Sequence, residues 1–176
     1  MLRRVLGTES VEALPRAFIC ASTELRSGRL VVTRHGALPE AVGYSMNVPI
    51  LAPPRVHGRQ MFIDGSLIDN LPVDLLADQG EGPVIAVDVK ATFGDGSGGP
   101  KTGEPRRERV PLIGETITRV LLLASGDTSE AARRHAALVI KPRAEGVGLL
   151  EFHQLDAARE AGRVAAREAL ETHSAV

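Results

Sequence analysis

The stretch that most constrains the fold is residues 62–73, which read Phe62-Ile63-Asp64-Gly65-Ser66-Leu67-Ile68-Asp69-Asn70-Leu71-Pro72-Val73. The apolar residues before Asp64 are typical of a short strand over 60–63 that ends abruptly at Asp64-Gly65. Pro72 suits the first turn of a following helix over 72–77. The stretch therefore predicts a strand, a sharp turn and a helix. It places Asp64 at the edge of a sheet, where open α/β sheets carry functional groups.

Two interpretations of Asp64 follow from the residues alone. A carboxylate at a strand end can act on a bound ligand, but an Asp in a turn also commonly hydrogen-bonds its own backbone. Asp69 and Asp74 lie close by in the sequence. Either they form a carboxylate cluster with Asp64, or they have local roles. In the second case Asp69 is a loop residue, and Asp74 lies in the first turn of the helix, where the helix dipole favours a negative charge.

The rest of the chain alternates strands with helices. The β-branched run over 83–89 is typical of a strand buried on both faces of a parallel sheet, and 137–140 is a last strand ended by Pro142. Further strands are predicted at 16–23 and 29–33, joined by a turn at 26–28, and helices at 37–46, 111–125 and 153–171. This alternation predicts the α/β class.

Residues 91–110 are rich in Gly and Pro and end in a charged run. Such a segment cannot bury enough apolar surface to order itself, so we expect a flexible surface insertion. A phosphate-binding loop would need Gly-Lys-Ser/Thr opening a helix after a strand. Lys101-Thr102 has no apolar helix directly behind it.

The composition excludes several classes of protein. Basic and acidic side chains number 21 and 22, so no global field attracts the chain to nucleic acid. Cys20 is the single cysteine, which rules out an intramolecular disulfide and favours a reducing compartment. No apolar run approaches the roughly 20 residues of a membrane span, and the basic, apolar start at 1–6 is too short for a signal peptide. We therefore expect a cytoplasmic protein.

An ordered set of motifs surrounds Asp64. Upstream lie Gly36-Ala37-Leu38, Ala41-Val42, Ser45-Met46-Asn47-Val48-Pro49 and Pro53-Pro54, and downstream lie Asn70-Leu71-Pro72-Val73 and Ile85-Ala86-Val87-Asp88-Val89. This set resembles the bacterial patatin-like phospholipases, particularly the branch related to neuropathy target esterase. The hairpin over 16–33 is similar to that branch's Thr-Asp-Leu-x-x-Gly segment, and Leu149-Leu150-Glu151-Phe152 is similar to its C-terminal end. The resemblance spans about residues 6–171, with 91–110 as an insertion.

The resemblance implies that residues 1–176 are the C-terminal half of a three-layer α/β/α domain with a mainly parallel central sheet. It implies that Asp64 is the general base of a Ser–Asp dyad, accepting the proton of a serine that attacks an ester carbonyl. Gly65 and Ser66 complete the motif, although the family usually has Gly or Ala where this chain has Ser66. The implied substrates are acyl esters of phospholipids or lysophospholipids, reached through peripheral contact with the membrane.

The nucleophile of that dyad is not found in this sequence. The family's N-terminal half carries a glycine-rich oxyanion loop and a Gly-x-Ser-x-Gly elbow. Among the serines, the nearest match is Gly43-Tyr44-Ser45-Met46-Asn47, which lacks the final glycine and follows a helix. We expect a start codon assigned too late, a split gene whose other half is a partner chain, or a lost catalytic half. The chain alone is expected to be inactive.

No cofactor or metal site is predicted. The five histidines are dispersed, and none has the His-x-x-x-His spacing of a metal site. Three functions remain open: the base-bearing half of a serine lipid acyl hydrolase, a non-catalytic remnant that binds lipid or a partner chain, and phosphoryl chemistry at Asp64. The last lacks a companion Lys or a nucleotide loop.

Overall fold

The structure, a computed structural model, describes residues 2–49, 51–89, 134–143, 147 and 152–174. The described residues fall into two compact units, the first ending at Pro72 and the second beginning at Val73. The first contains a four-stranded sheet, and the second contains a two-stranded sheet and a long helix. The predicted mixture of strands and helices, an α/β composition, is confirmed.

The first unit is built on a four-stranded sheet in which every pair of neighbours is antiparallel. Its order is β2-β1-β4-β3. Its elements are α1 (Leu2–Leu6), a 3₁₀ turn (Val11–Ala13), β1 (Cys20–Glu24), β2 (Arg29–Thr33), α2 (Leu38–Ser45), β3 (Arg55–His57), β4 (Gln60–Asp64) and a second 3₁₀ turn (Gly65–Leu67).

The first hairpin joins β1 to β2 through the predicted turn. Gly28 has a φ of 65°, and its N–H donates to the Glu24 carbonyl at 2.9 Å. Strand β1 begins at Cys20 rather than at the predicted residue 16. Because β2 ends at Thr33, opposite Cys20, residues 16–19 have no strand partner in the described part of the chain.

The second hairpin, β3–β4, was not predicted from the sequence. His57 pairs with Gln60, so Gly58 and Arg59 form a two-residue turn, and Gly58 has a φ of 59°. Positive φ at the first turn position is typical of the turns that join tight hairpins. All three residues of β3 are exposed, so the strand lacks the apolar alternation that would have indicated it.

The core of the first unit lies between helix α2 and the sheet. Its buried residues are Val11, Cys20, Leu38 and Ala41. Helix α2 contacts β1 and β4, and Tyr44 stacks on Phe62 with 4.6 Å between the ring centroids. The observed helix confirms the prediction over 37–46, with Pro39 in its first turn.

The second unit contains a parallel strand pair and the long C-terminal helix. Its elements are α3 (Val73–Ala77), β5 (Ile85–Val87), β6 (Leu138–Ile140), a 3₁₀ turn (Phe152–Gln154) and α4 (Leu155–Ser174). Strands β5 and β6 are parallel, and α4 contacts β6. The half-buried residues of α4 include Ala158, Gly162 and Ala165, which lie three or four positions apart and form a small-residue face of the helix.

Two predictions about the sheets require correction. The mainly parallel central sheet is not confirmed, because β5–β6 is the one parallel pair among the described strands. The tight turns between β1 and β2 and between β3 and β4 permit antiparallel pairing only. The strand over 83–89 is not buried on both faces. It is ordered as Ile85–Val87, with Ala86 4% exposed but Ile85 54% exposed.

Three predicted segments lie outside the described residues, namely the insertion 91–110, the helix 111–125 and most of the C-terminal motif at 149–152. Within the described segments, no helix has the length and apolar character that crossing a membrane requires.

Candidate active site

Asp64 is the last residue of β4 and caps the 3₁₀ turn that follows. Its carboxylate Oδ1 accepts the backbone N–H of Ser66 at 2.8 Å. This is the local bond that an Asp makes when it terminates a strand and starts a turn. Among the described residues, Oδ2 accepts no hydrogen bond, and the side chain is half-buried. Within the described residues, Asp64 therefore makes the turn bond through Oδ1, while Oδ2 is not hydrogen-bonded.

Gly65 brings the turn against the backbone of β1. A Cβ at this position would lie 2.4 Å from the Ala21 carbonyl oxygen and 2.7 Å from its carbon. Such distances are far below van der Waals contact, and the neighbouring atoms are backbone that cannot rotate away. The glycine predicted for a sharp turn is therefore required by close packing of two backbone segments.

Both backbone groups of Asp64, its carbonyl and its N–H, are hydrogen-bonded. The Thr23 hydroxyl of β1 donates to the Asp64 carbonyl at 3.0 Å. The Asp64 N–H donates to the Asn47 carbonyl at 3.0 Å. Thr23 and Asn47 are 4% and 5% exposed, so both contacts are shielded from water. Sequence reasoning missed both roles, because Thr23 was only part of the predicted strand 16–23 and Asn47 only part of the motif over 45–49.

Ser22 is the serine that lies opposite Asp64 in the β1–β4 register. It is 1% exposed, and its hydroxyl donates to the Val31 carbonyl over a long 3.4 Å. A nucleophile must reach a substrate carbonyl, which burial prevents here. Ser45, the nearest match to the nucleophile motif, is the last residue of helix α2 rather than the residue of a strand-to-helix turn.

Glu24 is a buried carboxylate that sequence reasoning also missed. It is 5% exposed and accepts the N–H groups of Ser27 at 2.7 Å, Met61 at 3.2 Å and Arg26 at 3.3 Å. Hydrogen bonds from the Ser27 side chain, and then from the backbone of Met61, Ser27 and Arg26, lower the pKa of Glu24 from 4.5 to about 2. The turn-forming residues after the strand, Ser27 and Gly28, were the available signal for this capped turn.

The other two acidic residues near Asp64 in the sequence have local roles. Asp69 accepts the Leu71 N–H at 3.1 Å within its own loop. In the second unit, Asp74 lies in the first turn of α3 and pairs with His135, and both side chains are about half exposed. Each role agrees with the interpretation of these residues as a loop residue and a first-turn acid.

Within the described part of the chain, no three or more His, Cys, Asp or Glu side chains are grouped so that they could hold a metal ion. Cys20 is buried in the core, and burial raises the pKa of its thiol.

No family model matches the chain. Individual relatives do match, and the chain is 34% identical over 184 residues to an uncharacterized NTE family protein of Mycobacterium bovis. That match covers 97% of this chain and 32% of the relative. A lysophospholipase of Aspergillus fumigatus is 27% identical over 185 residues, which is 96% of this chain and 12% of the relative.

A third relative carries the family name itself. It is a Caenorhabditis elegans protein whose name includes the words patatin-like phospholipase domain, and it is 30% identical over 90 residues. This match covers 50% of the chain and 8% of the relative. The chain spans about a third of the length of the Mycobacterium relatives. Because the identity to those relatives extends over nearly all of its residues, the chain belongs to the patatin-like NTE-type family.

Proposed function

We propose that Asp64 is the general base of a Ser–Asp dyad in a lipid acyl hydrolase that cleaves acyl esters of lysophospholipids and phospholipids. The observation that carries the proposal is the fixed carboxylate at the end of β4, which has Oδ1 held by the Ser66 N–H and Oδ2 without a hydrogen bond from the described residues. The relative named a lysophospholipase supports the choice of lipid esters as substrates.

The chemistry assigned to Asp64 is proton transfer. As a serine Oγ attacks the ester carbonyl, its proton passes to Oδ2 of Asp64 and a C–O bond forms to Oγ. Collapse of the tetrahedral intermediate breaks the ester bond, and the departing alcohol takes the proton from Asp64. Water then hydrolyses the acyl-serine by the same route in reverse, and Asp64 again accepts and returns one proton.

The nucleophile in this proposal comes from sequence outside the 176 residues. The chain corresponds to about a third of its Mycobacterium relatives, and none of its serines lies in a Gly-x-Ser-x-Gly elbow. A partner chain that carries the elbow is the second possible source. The three-layer α/β/α architecture, the cytoplasmic location and the peripheral contact with the membrane belong to the same proposal.

Adding the upstream coding sequence tests the proposal. The longer protein should release fatty acid from lysophosphatidylcholine, whereas the 176-residue chain should not, because a nucleophile and its oxyanion donors act as a unit. A folded longer protein without an elbow serine and without hydrolysis would favour the alternative, a non-catalytic protein that binds lipid or a partner chain.

A further inference from the structure

Asp64 lies beyond the end of its strand partner on one side. Strand β3 pairs with β4 from His57 opposite Gln60 to Arg55 opposite Phe62, and it stops there. The N–H of Asp64 therefore projects past the ladder, where a strand residue would normally find no partner. In this protein it donates to the carbonyl of Asn47 at 3.0 Å. Asn47 thus replaces β3 at the position where the candidate base is placed.

The side chain of Asn47 holds the Asn47 backbone carbonyl in position. Its Nδ2 donates to the Pro53 carbonyl at 2.8 Å and, over a longer 3.4 Å, to the Phe62 carbonyl of β4. The residue is 5% exposed. A buried amide without partners would cost free energy, so the arrangement is stable only while these carbonyls are in place. One side chain therefore ties Pro53 and β4 together beside Asp64.

We propose that Asn47 is a positioning residue for the Asp64 carboxylate, an inference that rests on the proposed role of Asp64 as the base. Asn47 acts through the backbone and does not touch substrate. Its backbone carbonyl holds the Asp64 N–H, the Thr23 hydroxyl holds the Asp64 carbonyl, and the Ser66 N–H holds Oδ1. Because these three groups are held, the fixed backbone also sets the direction of the second carboxylate oxygen, Oδ2.

Amide hydrogen exchange in the 176-residue chain tests the positioning without any need for activity. Asn47→Ala keeps the backbone carbonyl that accepts the Asp64 N–H but removes the Nδ2 hydrogen bonds that fix this carbonyl. Loss of one such bond should speed exchange of the Asp64 amide by about fivefold or more. The Leu25 amide, which donates to Met61 at the other end of the β1–β4 pair, should change far less. Equal changes at both amides, or no change at either, would overturn the inference.

Two further variants complete this test. Gln79→Ala removes an exposed side-chain amide that also donates to a carbonyl. It should leave the exchange rates of the Asp64 and Leu25 amides unchanged. Asn47→Ser keeps one side-chain hydrogen-bond donor. Its Asp64 amide should exchange at a rate between those of the wild type and Asn47→Ala. Asn47→Ser also serves as the reporting variant if Asn47→Ala does not fold.

Kinetics of the longer, active protein separate positioning from a purely structural role. A small displacement of a catalytic group costs up to about 100-fold in rate, so Asn47→Ala should lower kcat by about 10- to 100-fold with KM nearly unchanged. If Asp64→Asn abolishes turnover while Asn47→Ala retains the wild-type kcat, the positioning role is wrong and the base stands. If Asp64→Asn itself retains turnover, the proposed function has failed.

Discussion

Gly65 is the residue at which the candidate site is packed most tightly. Its turn lies against the Ala21 carbonyl, so Gly65→Ala forces a shift of backbone against backbone. Overpacking of this kind typically costs about 1–3 kcal/mol. We expect Gly65→Ala to lower the free energy of unfolding by that amount, as measured by urea denaturation. A variant as stable as the wild type would show that the turn and β1 can separate at no cost.

The buried carboxylate of Glu24 makes the stability of the first unit depend on pH in the acidic range. Its pKa in the folded protein is about 2, below its ordinary value of 4.5. A carboxylate whose pKa is lower in the folded protein stabilises the fold at pH values above its pKa in the unfolded chain. For Glu24, that stabilisation disappears as the pH falls from about 4.5 towards 2. Glu24→Gln should therefore lower the Tm at pH 7 and lose less Tm than the wild type across this interval.

A matched control for Glu24 is Glu9→Gln, which neutralises an exposed acid in the same unit. Its loss of Tm between pH 4.5 and 2 should follow that of the wild type. Parallel acid profiles for Glu24→Gln and the wild type would mean that the hydrogen bonds from Ser27 and Met61 do not stabilise the fold.

At the scale of single elements, helix α4 offers the clearest test. Gly162 lies in its interior, and a Cβ added there would meet no atom of the described residues within 4 Å apart from the neighbouring backbone of its own helix. Glycine in a helix interior costs about 0.5–1 kcal/mol relative to alanine because of the entropy of the unfolded chain. Gly162→Ala should raise the free energy of unfolding by that amount, the opposite of Gly65→Ala. A destabilised variant would show that the small-residue face is more closely covered than the structure indicates.

Elements with a strong local signal could be predicted from the sequence. Helices α2 and α4 and strand β2 were located within two or three residues, because apolar spacing, Pro39 and Gly28 each constrain the backbone locally. Strand β3 was missed because its three exposed residues carry no apolar pattern. Its pairing depends on the Gly58-Arg59 turn and on a partner strand, and neither appears in the periodicity of the residues.

The candidate site was predictable in part for a similar reason. The position of Asp64 at a strand end follows from the local pattern of apolar residues before Asp-Gly. The contacts that hold it, from Thr23 and Asn47, join residues 41 and 17 positions away along the chain. Such contacts depend on sheet order and register, which a local pattern does not contain.

At the scale of the whole molecule, family membership and one carboxylate together indicate where activity would reside. The chain belongs to the patatin-like NTE-type family, but it spans about a third of its Mycobacterium relatives. Any catalytic activity therefore concerns the longer protein, in which we propose that Asp64 meets a serine from outside these residues. In that proposal, the described residues supply Asp64, the turn that orients its carboxylate and the strands that fix its backbone.

The most direct measurement is the rate of lysophosphatidylcholine hydrolysis by Asp64→Asn in the longer protein, compared with Asp78→Asn. Asp78 is an exposed acid just after α3, and its replacement should leave the rate unchanged. General-base assistance contributes about 10²–10⁴-fold, so Asp64→Asn should lose that factor in kcat while it remains folded with an unchanged Tm. A folded Asp64→Asn protein that hydrolyses the lipid within about twofold of the wild-type rate would contradict the assignment of Asp64 as the base.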